Sequence, residues 1–308
     1  MIRVATRGSA LALAQARAVG DRLAATGTRV EIVPMRTEGD RLAEARLAAV
    51  GGKGLFVREI EEAVLRGDAD VAVHSLKDLP AELPRGLRLA AFPERADARD
   101  VLVSRRPQRF AELSEGAVLG TSSPRRRALA LALRADLRVE PIRGNVDTRL
   151  RKLESGDYDA ILLAAAGLVR LALTPRHVEA LGPDVFVPAV GQGVLAVEAR
   201  DDDARTLGLL RALDHEPTRV AAGAERAFLS RLGASCVTPM AAHARLSGGR
   251  LLIDAVVASE DGRTLLRESA DDAPARGEAL GTRVAEALLA RGAGAVVALR
   301  PAGAGHGR

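Results

Sequence analysis

Two short stretches of this chain place arginine beside serine, threonine and glycine where a strand passes into a helix. The first reads Val118-Leu-Gly-Thr-Ser-Ser-Pro-Arg-Arg-Arg127, and the second reads Ile142-Arg-Gly-Asn-Val-Asp-Thr-Arg-Leu-Arg-Lys152. In the first, Ser123 stands where a helix N-cap belongs, and Pro124 takes the first helical position. A helix start attracts anions, because unpaired N–H groups and the positive end of the helix dipole point out of it. Arginine adds two-pronged recognition of carboxylates and phosphates, so the pattern predicts a small ligand with several anionic groups.

Arginine is also the ordinary cation of this chain, so a single arginine is weak evidence for a site. Three of the 45 Lys and Arg residues are lysines, which leaves 42 arginines. A run of arginines is most often a solvated basic face. A site is favoured here because the arginines stand at strand-to-helix junctions beside hydroxyl groups and glycine. The side chains that these junctions would supply are Thr121, Ser122, Ser123, Arg125, Arg126, Arg143 and Arg149.

Composition and charge bound the class of protein. With 308 residues, of which 47% are hydrophobic and 28% charged, the chain can form two or three globular domains. A net charge of +5 is compatible with a nucleic-acid partner. Aromatic residues make up only 2% of the chain, however, and tryptophan is absent, so the stacking platforms that hold single strands are missing. We therefore expect no nucleic-acid partner.

Cysteine, histidine and the N-terminus bear on compartment and metals. The single cysteine excludes an intrachain disulfide and fits a reducing compartment. Five scattered histidines lack partners at ligand spacing, so we expect no metal. The apolar N-terminal stretch is broken by Gln15 and Arg17, and no segment is long enough to span a bilayer. These features predict a cytoplasmic protein that does not enter a membrane.

Short β-rich runs alternate with helical periods over the first two-thirds of the chain, which favours α/β domains with mostly parallel sheets. The predicted strands are Arg3–Thr6, Val30–Met35, Val71–Val73, Val101–Val103, Val118–Gly120, Arg138–Pro141 and Ala160–Leu163, and the predicted helices include Ala10–Ala25 and Leu55–Arg66. In such folds ligands bind beyond the carboxyl ends of strands. The motifs at 6–9, 74–78 and 120–126 all fall at such ends.

From Glu216 the pattern changes to that of a small α+β domain. A helical period leads to Cys236, and a Glu-Asp-Gly turn then joins two strands, which is a hairpin signature. The predicted elements are a helix at Thr218–Leu232, strands at Leu251–Ala258 and Thr264–Glu268, and a helix at Glu278–Ala290.

Taken in order, the motifs of this chain resemble those of the porphobilinogen deaminase (hydroxymethylbilane synthase) family. They are Ala5-Thr-Arg-Gly-Ser9, Gly51-Gly-Lys-Gly-Leu-Phe56, Val71-Ala-Val-His-Ser-Leu-Lys-Asp-Leu-Pro80, Gly120-Thr-Ser-Ser-Pro-Arg-Arg-Arg127, Arg143-Gly-Asn-Val-Asp-Thr-Arg149, Pro188-Ala-Val-Gly-Gln-Gly193 and Ala224-Glu-Arg-Ala227. Each motif alone is modest, but seven in family order make coincidence implausible. Around Cys236 the chain keeps the family's cysteine and proline spacing, while Ser235 and Val237-Thr238 depart from the usual Gly-Cys-Gln-Val-Pro-Ile.

The resemblance implies three domains. Two are periplasmic-binding-protein-like lobes with the active cleft between them, and the third is a small α+β domain that carries Cys236. The implied bounds are 1–93 with 194–211 for the first lobe, 99–187 for the second and 216–308 for the C-terminal domain. The chain would return to the first lobe after residue 193, a crossing that the residue patterns alone do not indicate.

The resemblance also implies a reaction. Family members join four porphobilinogen units head to tail with loss of ammonia, on a dipyrromethane held as a thioether to cysteine. Water then releases the linear tetrapyrrole. Loss of ammonia leaves an azafulvenium cation, so catalysis needs a fixed anion near the ring nitrogen. On residue type alone Asp78 would be a turn cap before Pro80; the resemblance makes Asp78, with Lys77, catalytic.

The family pattern assigns roles to further residues. Cys236, which alone would be interpreted as a buried inert residue, becomes the attachment point of the cofactor, and His74 is a packing or supporting residue. The implied cofactor-binding residues are Ser75, Thr121, Ser123, Arg125, Arg126, Arg143, Arg149 and Gln192. The implied substrate-binding residues are Arg7, Ser9, Arg143, Arg149 and Arg170. Lys53 and Phe56 fall in an implied mobile loop, and no metal is implied.

An alternative from another class is a two-lobed binding protein for a small polycarboxylate ligand without catalysis. Lobes of this type also serve solute receptors and the effector domains of regulators. The lack of a signal peptide weakens the receptor hypothesis, and the lack of a DNA-reading helix weakens the regulator hypothesis. The family pattern further implies a monomer.

Overall fold

The computed structural model describes residues 1–35, 57–233 and 238–297. The chain divides into two compact units. The first comprises Met1–Ala96, Arg170–Ala172 and Gly193–Arg219, and the second comprises Asp97–Val169, Leu173–Gln192 and the chain from Val220 onward. No helix within these described ranges is long and apolar enough to cross a membrane.

Strands and helices alternate along most of the chain. In order they are β1 (Ile2–Arg7), α1 (Ala10–Ala24), β2 (Val30–Met35), α2 (Arg58–Arg66), β3 (Val71–Ser75), β4 (Leu87–Ala91), β5 (Asp100–Ser104), β6 (Val118–Gly120), α3 (Pro124–Leu133), β7 (Arg138–Glu140), α4 (Val146–Glu154), β8 (Ala160–Ala164), α5 (Ala165–Arg170), β9 (Val178–Ala180), β10 (Leu195–Arg200), α6 (Ala204–Leu210), α7 (Glu216–Leu232), β11 (Met240–Ser247), β12 (Arg250–Ala258), β13 (Leu265–Asp272), α8 (Gly277–Ala290) and α9 (Ala293–Val296).

The first unit is built on a five-stranded sheet in the order β2-β1-β3-β10-β4. β1 runs parallel to β2 and β3, whereas β10 runs antiparallel to β3 and β4. β3 is buried on both faces: Val73 packs in one cluster with Val19 of α1, and Ala72 packs in another with Val64 of α2. Because β1 and β3 are parallel neighbours, the residues that follow them emerge at the same edge of the sheet.

The second unit holds a sheet in the order β7-β6-β8-β5-β9 and a separate antiparallel sheet, β11-β12-β13. In the larger sheet β6 is parallel to β7 and β8, and β5 is antiparallel to β8 and β9. Helix α3 packs Leu129 against Leu119 and Leu162 of this sheet. Helices α7 and α8 touch closely at Gly281, where any side chain would meet the carbonyl oxygen of Ala224.

Local sequence signals predict the positions of many of these elements. β6 has its predicted bounds, α2 ends before Gly67 with φ +78°, and the hairpin turns at Gly262 with φ +72°. Two features differ from expectation. Each larger sheet has two parallel and two antiparallel pairings, since β10 and β5 run against their neighbours. β4, β9 and β11 are not predicted, and the alanine-rich sequence of β11 has little strand preference.

Candidate active site

The carboxyl end of β3 presents two charged side chains in succession. β3 runs into a 3₁₀ turn over residues 76–78, and Leu76 and Leu79 anchor this turn in the core. The Leu76 N–H donates a 3.0 Å hydrogen bond to the carbonyl of Val194. Between the anchors Lys77 is half-buried and Asp78 is exposed. Within the described part of the chain no group donates a hydrogen bond to the Asp78 carboxylate, so its oxygens are available to a ligand.

Arg7, Ser9 and Ser75 lie at the same edge of the first unit's sheet. Arg7 is the last residue of β1, and the pairing of β1 with β3 brings it level with the end of β3. The Ser9 hydroxyl caps α1 by accepting the Ala12 N–H at 3.3 Å. The Ser75 hydroxyl accepts from Gln15 Nε2 at 2.9 Å. Ser9 thus caps the start of α1, Ser75 ties α1 to the sheet, and Arg7 is half-buried at the same edge.

In the second unit, Arg125 and Arg126 converge on one carboxylate that the sequence analysis did not single out. Asp100, at the start of β5, is fully buried. Arg125 binds it with two hydrogen bonds, of 2.8 and 3.1 Å, and Arg126 Nε donates a third at 2.8 Å. Arg125 Nη1 also donates to the backbone carbonyl of Val187, and Arg126 Nη1 donates to that of Leu162. Arg125 and Arg126 are therefore buried and held by protein groups.

The charges of this cluster do not balance. Burial by itself would raise the pKa of Asp100, but Arg125 and Arg126 outweigh it and lower the pKa to about 2. Burial, aided by the positive charge of Arg126, lowers the pKa of Arg149. Three guanidinium groups thus accompany one carboxylate, and this excess of positive charge favours an anionic ligand.

The start of α3 forms as the sequence predicts. Ser123 is the N-cap, accepts the Arg126 N–H at 3.4 Å and precedes Pro124 at the first helical position. The buried Thr121 hydroxyl accepts the Ser123 N–H at 3.2 Å. The Ser122 hydroxyl donates to the Ile142 carbonyl at 2.7 Å, which ties the two arginine-rich stretches together. These hydroxyl groups shape the junction by contacts within the protein.

Arg143 and Arg149 differ from the buried pair. Arg143 is exposed, Arg149 is half-buried, and neither forms an ion pair within the described residues. Arg149 Nε donates to the Gly144 carbonyl at 2.8 Å. Gly144 has φ +110°, and a Cβ there would stand 2.7 Å from Thr148, so the turn requires glycine. Arg143 and Arg149 retain N–H groups for a ligand.

Of the remaining predicted residues, Gln192 and Arg170 have hydrogen-bond partners in the structure. Gln192 is buried and donates to the Ala98 carbonyl at 2.7 Å and to Asp100 at 3.1 Å. Arg170, in the first unit, donates to the Gly193 carbonyl at 2.7 Å, and burial lowers its pKa to about 10. Cys236, Lys53 and Phe56 lie outside the described residues.

Two buried acidic residues, Asp100 and Glu198, were not among the residues predicted to be functional. Each is an acidic residue within an apolar strand, in Arg99-Asp-Val-Leu-Val103 and Leu195-Ala-Val-Glu-Ala199. Buried carboxylates are rare unless they are paired, so this pattern signals a basic partner elsewhere in the chain. His74 is buried beside Glu198, in keeping with its interpretation as a supporting residue.

Comparisons with known proteins identify relatives over nearly the whole chain. Residues 2–208 match the model of the porphobilinogen deaminase dipyromethane cofactor binding domain, and residues 220–290 match that of the porphobilinogen deaminase C-terminal domain. The porphobilinogen deaminase of Desulforudis audaxviator is 52% identical over 303 residues, or 98% of each chain. That of Syntrophotalea carbinolica is 49% identical over 299 residues, or 96% of this chain and 95% of its own.

A solved structure of low identity was also found. It is a periplasmic substrate-binding protein of an ABC transporter from Coxiella burnetii, 18% identical, with a TM-score of 0.42. The match covers 73% of this chain and 97% of that protein.

Proposed function

This chain belongs to the porphobilinogen deaminase family, and from that premise we propose how its own residues carry out the family's reaction. It is a transferase that condenses four porphobilinogen units head to tail with loss of ammonia and releases the linear tetrapyrrole hydroxymethylbilane by reaction with water. Its cofactor is dipyrromethane, which when bound supplies the pyrrole on which chain growth begins. The alternative of a binding protein without catalysis is thereby set aside.

Asp78 is the residue that we place at the reacting pyrrole. The observation that supports this assignment is its exposed carboxylate, which accepts no hydrogen bond from a protein group within the described residues. Positive charge develops on the substrate ring as ammonia leaves, and a preorganised carboxylate stabilises such charge. A carboxylate also accepts hydrogen bonds from pyrrole N–H groups. We assign Lys77, the preceding residue, to the same catalytic end of β3.

The arginine residues divide into two roles. Arg143 and Arg149, which have no carboxylate partner in the described residues, would bind acetate and propionate groups directly. Arg125 and Arg126, held by Asp100, would supply fixed positive charge and define the floor of the anion site. This donor set fits a dipyrromethane, whose two rings carry four carboxylates.

The other assignments follow the family pattern. Cys236, the only thiol in the sequence, would hold the cofactor as a thioether. The residues that would line or support the cofactor site are Ser75, Thr121, Ser123 and Gln192. Those that would bind substrate are Arg7, Ser9 and Arg170, and a mobile loop would contain Lys53 and Phe56.

We retain the predicted domains, 1–93 with 194–211, 99–187 and 216–308. We also retain a cytoplasmic location, supported by the single cysteine, and the absence of a nucleic-acid partner, supported by the scarcity of aromatic residues. The monomeric state is retained from the family pattern alone.

Asp78→Asn tests the central assignment, because the amide keeps the size of the side chain and removes its charge. Intact mass is measured first, so that equally loaded proteins are compared. We expect product formation to fall about 10²–10³-fold, the usual effect of losing one preorganised electrostatic group. Asp21→Asn, at an exposed position on α1, is the matched control and should keep parental turnover. Asp78→Asn turnover within about threefold of the parent would remove Asp78 from the mechanism.

A further inference from the structure

A second cluster of titratable groups lies in the first unit, beside the strand that leads to Asp78. His74 of β3 and Glu198 of β10 are buried, and His74 Nε2 lies 3.2 Å from Glu198 Oε2. In the β3–β10 pairing His74 faces Ala196 and Ala72 faces Glu198, so the two side chains stand diagonally on one face of the sheet. Helix α2 packs on that face and contributes Glu61, which is 6% exposed.

The two carboxyl groups of this cluster are incompletely hydrogen-bonded. Glu61 Oε1 and Glu198 Oε1 are buried, and neither has a hydrogen-bond partner among the described residues. When two neighbouring carboxyl groups are buried together, one of them keeps its proton, because both cannot ionise without strong repulsion. Burial, reinforced by the charge of Glu198, raises the pKa of Glu61 to about 7. Below that pH Glu61 is neutral.

Little positive charge around Glu61 is available to offset a second ionised carboxylate beside Glu198. His74 is the one described group that lowers the pKa of Glu61, while Glu62 raises it further. On the neighbouring strands, Arg3 of β1 is engaged by Asp70, and Arg200 of β10 is engaged by Asp203. The other charged residues of α2 and the strands packed on it are Arg58, Glu59, Arg66 and Arg7.

The position of His74 connects this cluster with the catalytic end of β3. His74 lies four residues before Asp78, and the next residue, Ser75, is held from the opposite face of the sheet by Gln15. The end of β3 is therefore held on one face through Ser75 and on the other through His74 and Glu198. A second negative charge on the His74 face would disturb the contact that holds this end of the strand.

We propose that Glu61 and Glu198 act through His74 as positioning residues for Asp78, and that this positioning requires the proton on Glu61. The proposal rests on the catalytic assignment of Asp78 made above. In this proposal neither Glu61 nor Glu198 contacts the substrate. Loss of the Glu61 proton at alkaline pH shifts the end of β3, so turnover falls while substrate binding by the arginine residues is retained.

The test is the pH dependence of kcat for the cofactor-loaded enzyme, with circular dichroism confirming a folded protein at each pH. Between about pH 6.5 and 9 we expect the parent kcat to fall at least about fivefold, with KM changed less than about twofold. Glu61→Gln, which is neutral at every pH, should lose less than about twofold over the same range. Glu62→Gln makes the same change at the next, more exposed residue of α2 and should keep the alkaline fall, moved to a slightly lower pH because it removes a charge that raises the pKa of Glu61.

Glu198→Gln provides a second variant if Glu61→Gln folds poorly. Without the Glu198 charge, ionised Glu61 no longer meets a second carboxylate, so the alkaline fall should again be lost. A purely structural role would lower kcat at every pH and leave the shape of the profile unchanged. Superimposable profiles for the parent and these variants would overturn the proposal. Asp78→Asn tests the catalytic assignment with the cluster intact, so the two failures are distinguishable.

Discussion

Removing the charge of Asp100 should strongly destabilise the second unit. Asp100 is fully buried and accepts hydrogen bonds from Arg125, Arg126 and Gln192. Asparagine at this position would leave two buried guanidinium groups without an anion, and breaking a buried pair in this way costs about 3–5 kcal/mol. The pKa of Asp100 gives a stabilisation of similar size. A pKa of about 2, against an ordinary 3.8, means that the folded protein favours the charged carboxylate by about 2 kcal/mol. We therefore expect Asp100→Asn to lower the free energy of unfolding by about 2–5 kcal/mol at pH 7.

Urea denaturation followed by circular dichroism measures this difference. Asp147→Asn is the matched control, because Asp147 is exposed and lies 3.7 Å from Arg151 one turn along α4. That surface pair should contribute less than about 0.5 kcal/mol. Because the pKa of Asp100 is lowered by folding, its contribution is present above pH 3.8 and is lost as pH falls towards 2. The two proteins should therefore converge in stability under acid conditions.

A difference below about 1 kcal/mol at pH 7 would refute this reasoning, since the arginine residues would then have found other partners. A difference that persisted unchanged at about pH 2 would refute the electrostatic part of it. The intact mass of Asp100→Asn gives a functional readout, because we expect displaced arginine residues to impair cofactor loading.

Two further predictions concern the cofactor and the substrate. Cys236→Ser should show the bare sequence mass and a lower Tm, because bound cofactor stabilises the native state by linkage; an adduct mass in this variant would place the attachment point elsewhere. Arg143→Lys should lower kcat/KM for porphobilinogen about tenfold, since an ammonium cannot reproduce the planar fork and one charge-assisted hydrogen bond contributes about 1.5–3 kcal/mol. Arg151→Lys, an exposed position on α4, is its control, and equal kinetics for the two variants would show that Arg143 is a surface charge.

The sequence by itself determined the features that depend on contacts between near neighbours. Ser123 and Pro124 start α3 as predicted, because capping needs only a hydroxyl within reach of N–H groups in the next turn. Gly67 and Gly262 end a helix and turn a hairpin, because only glycine adopts positive φ without cost. The placement of Asp78 after β3 followed in the same way, from a short apolar run that ends before charged residues.

Tertiary structure alone decided which charged groups meet. Asp100 pairs with side chains 25 and 26 residues away, and Glu198 lies beside His74 across 124 residues. The second of these contacts exists because β10 enters the sheet antiparallel between β3 and β4, an arrangement that strand patterns do not encode. A sequence with 40 acidic and 45 basic residues permits many pairings. Sheet order and burial select among them, because a buried charge is stable only where a partner is brought to it.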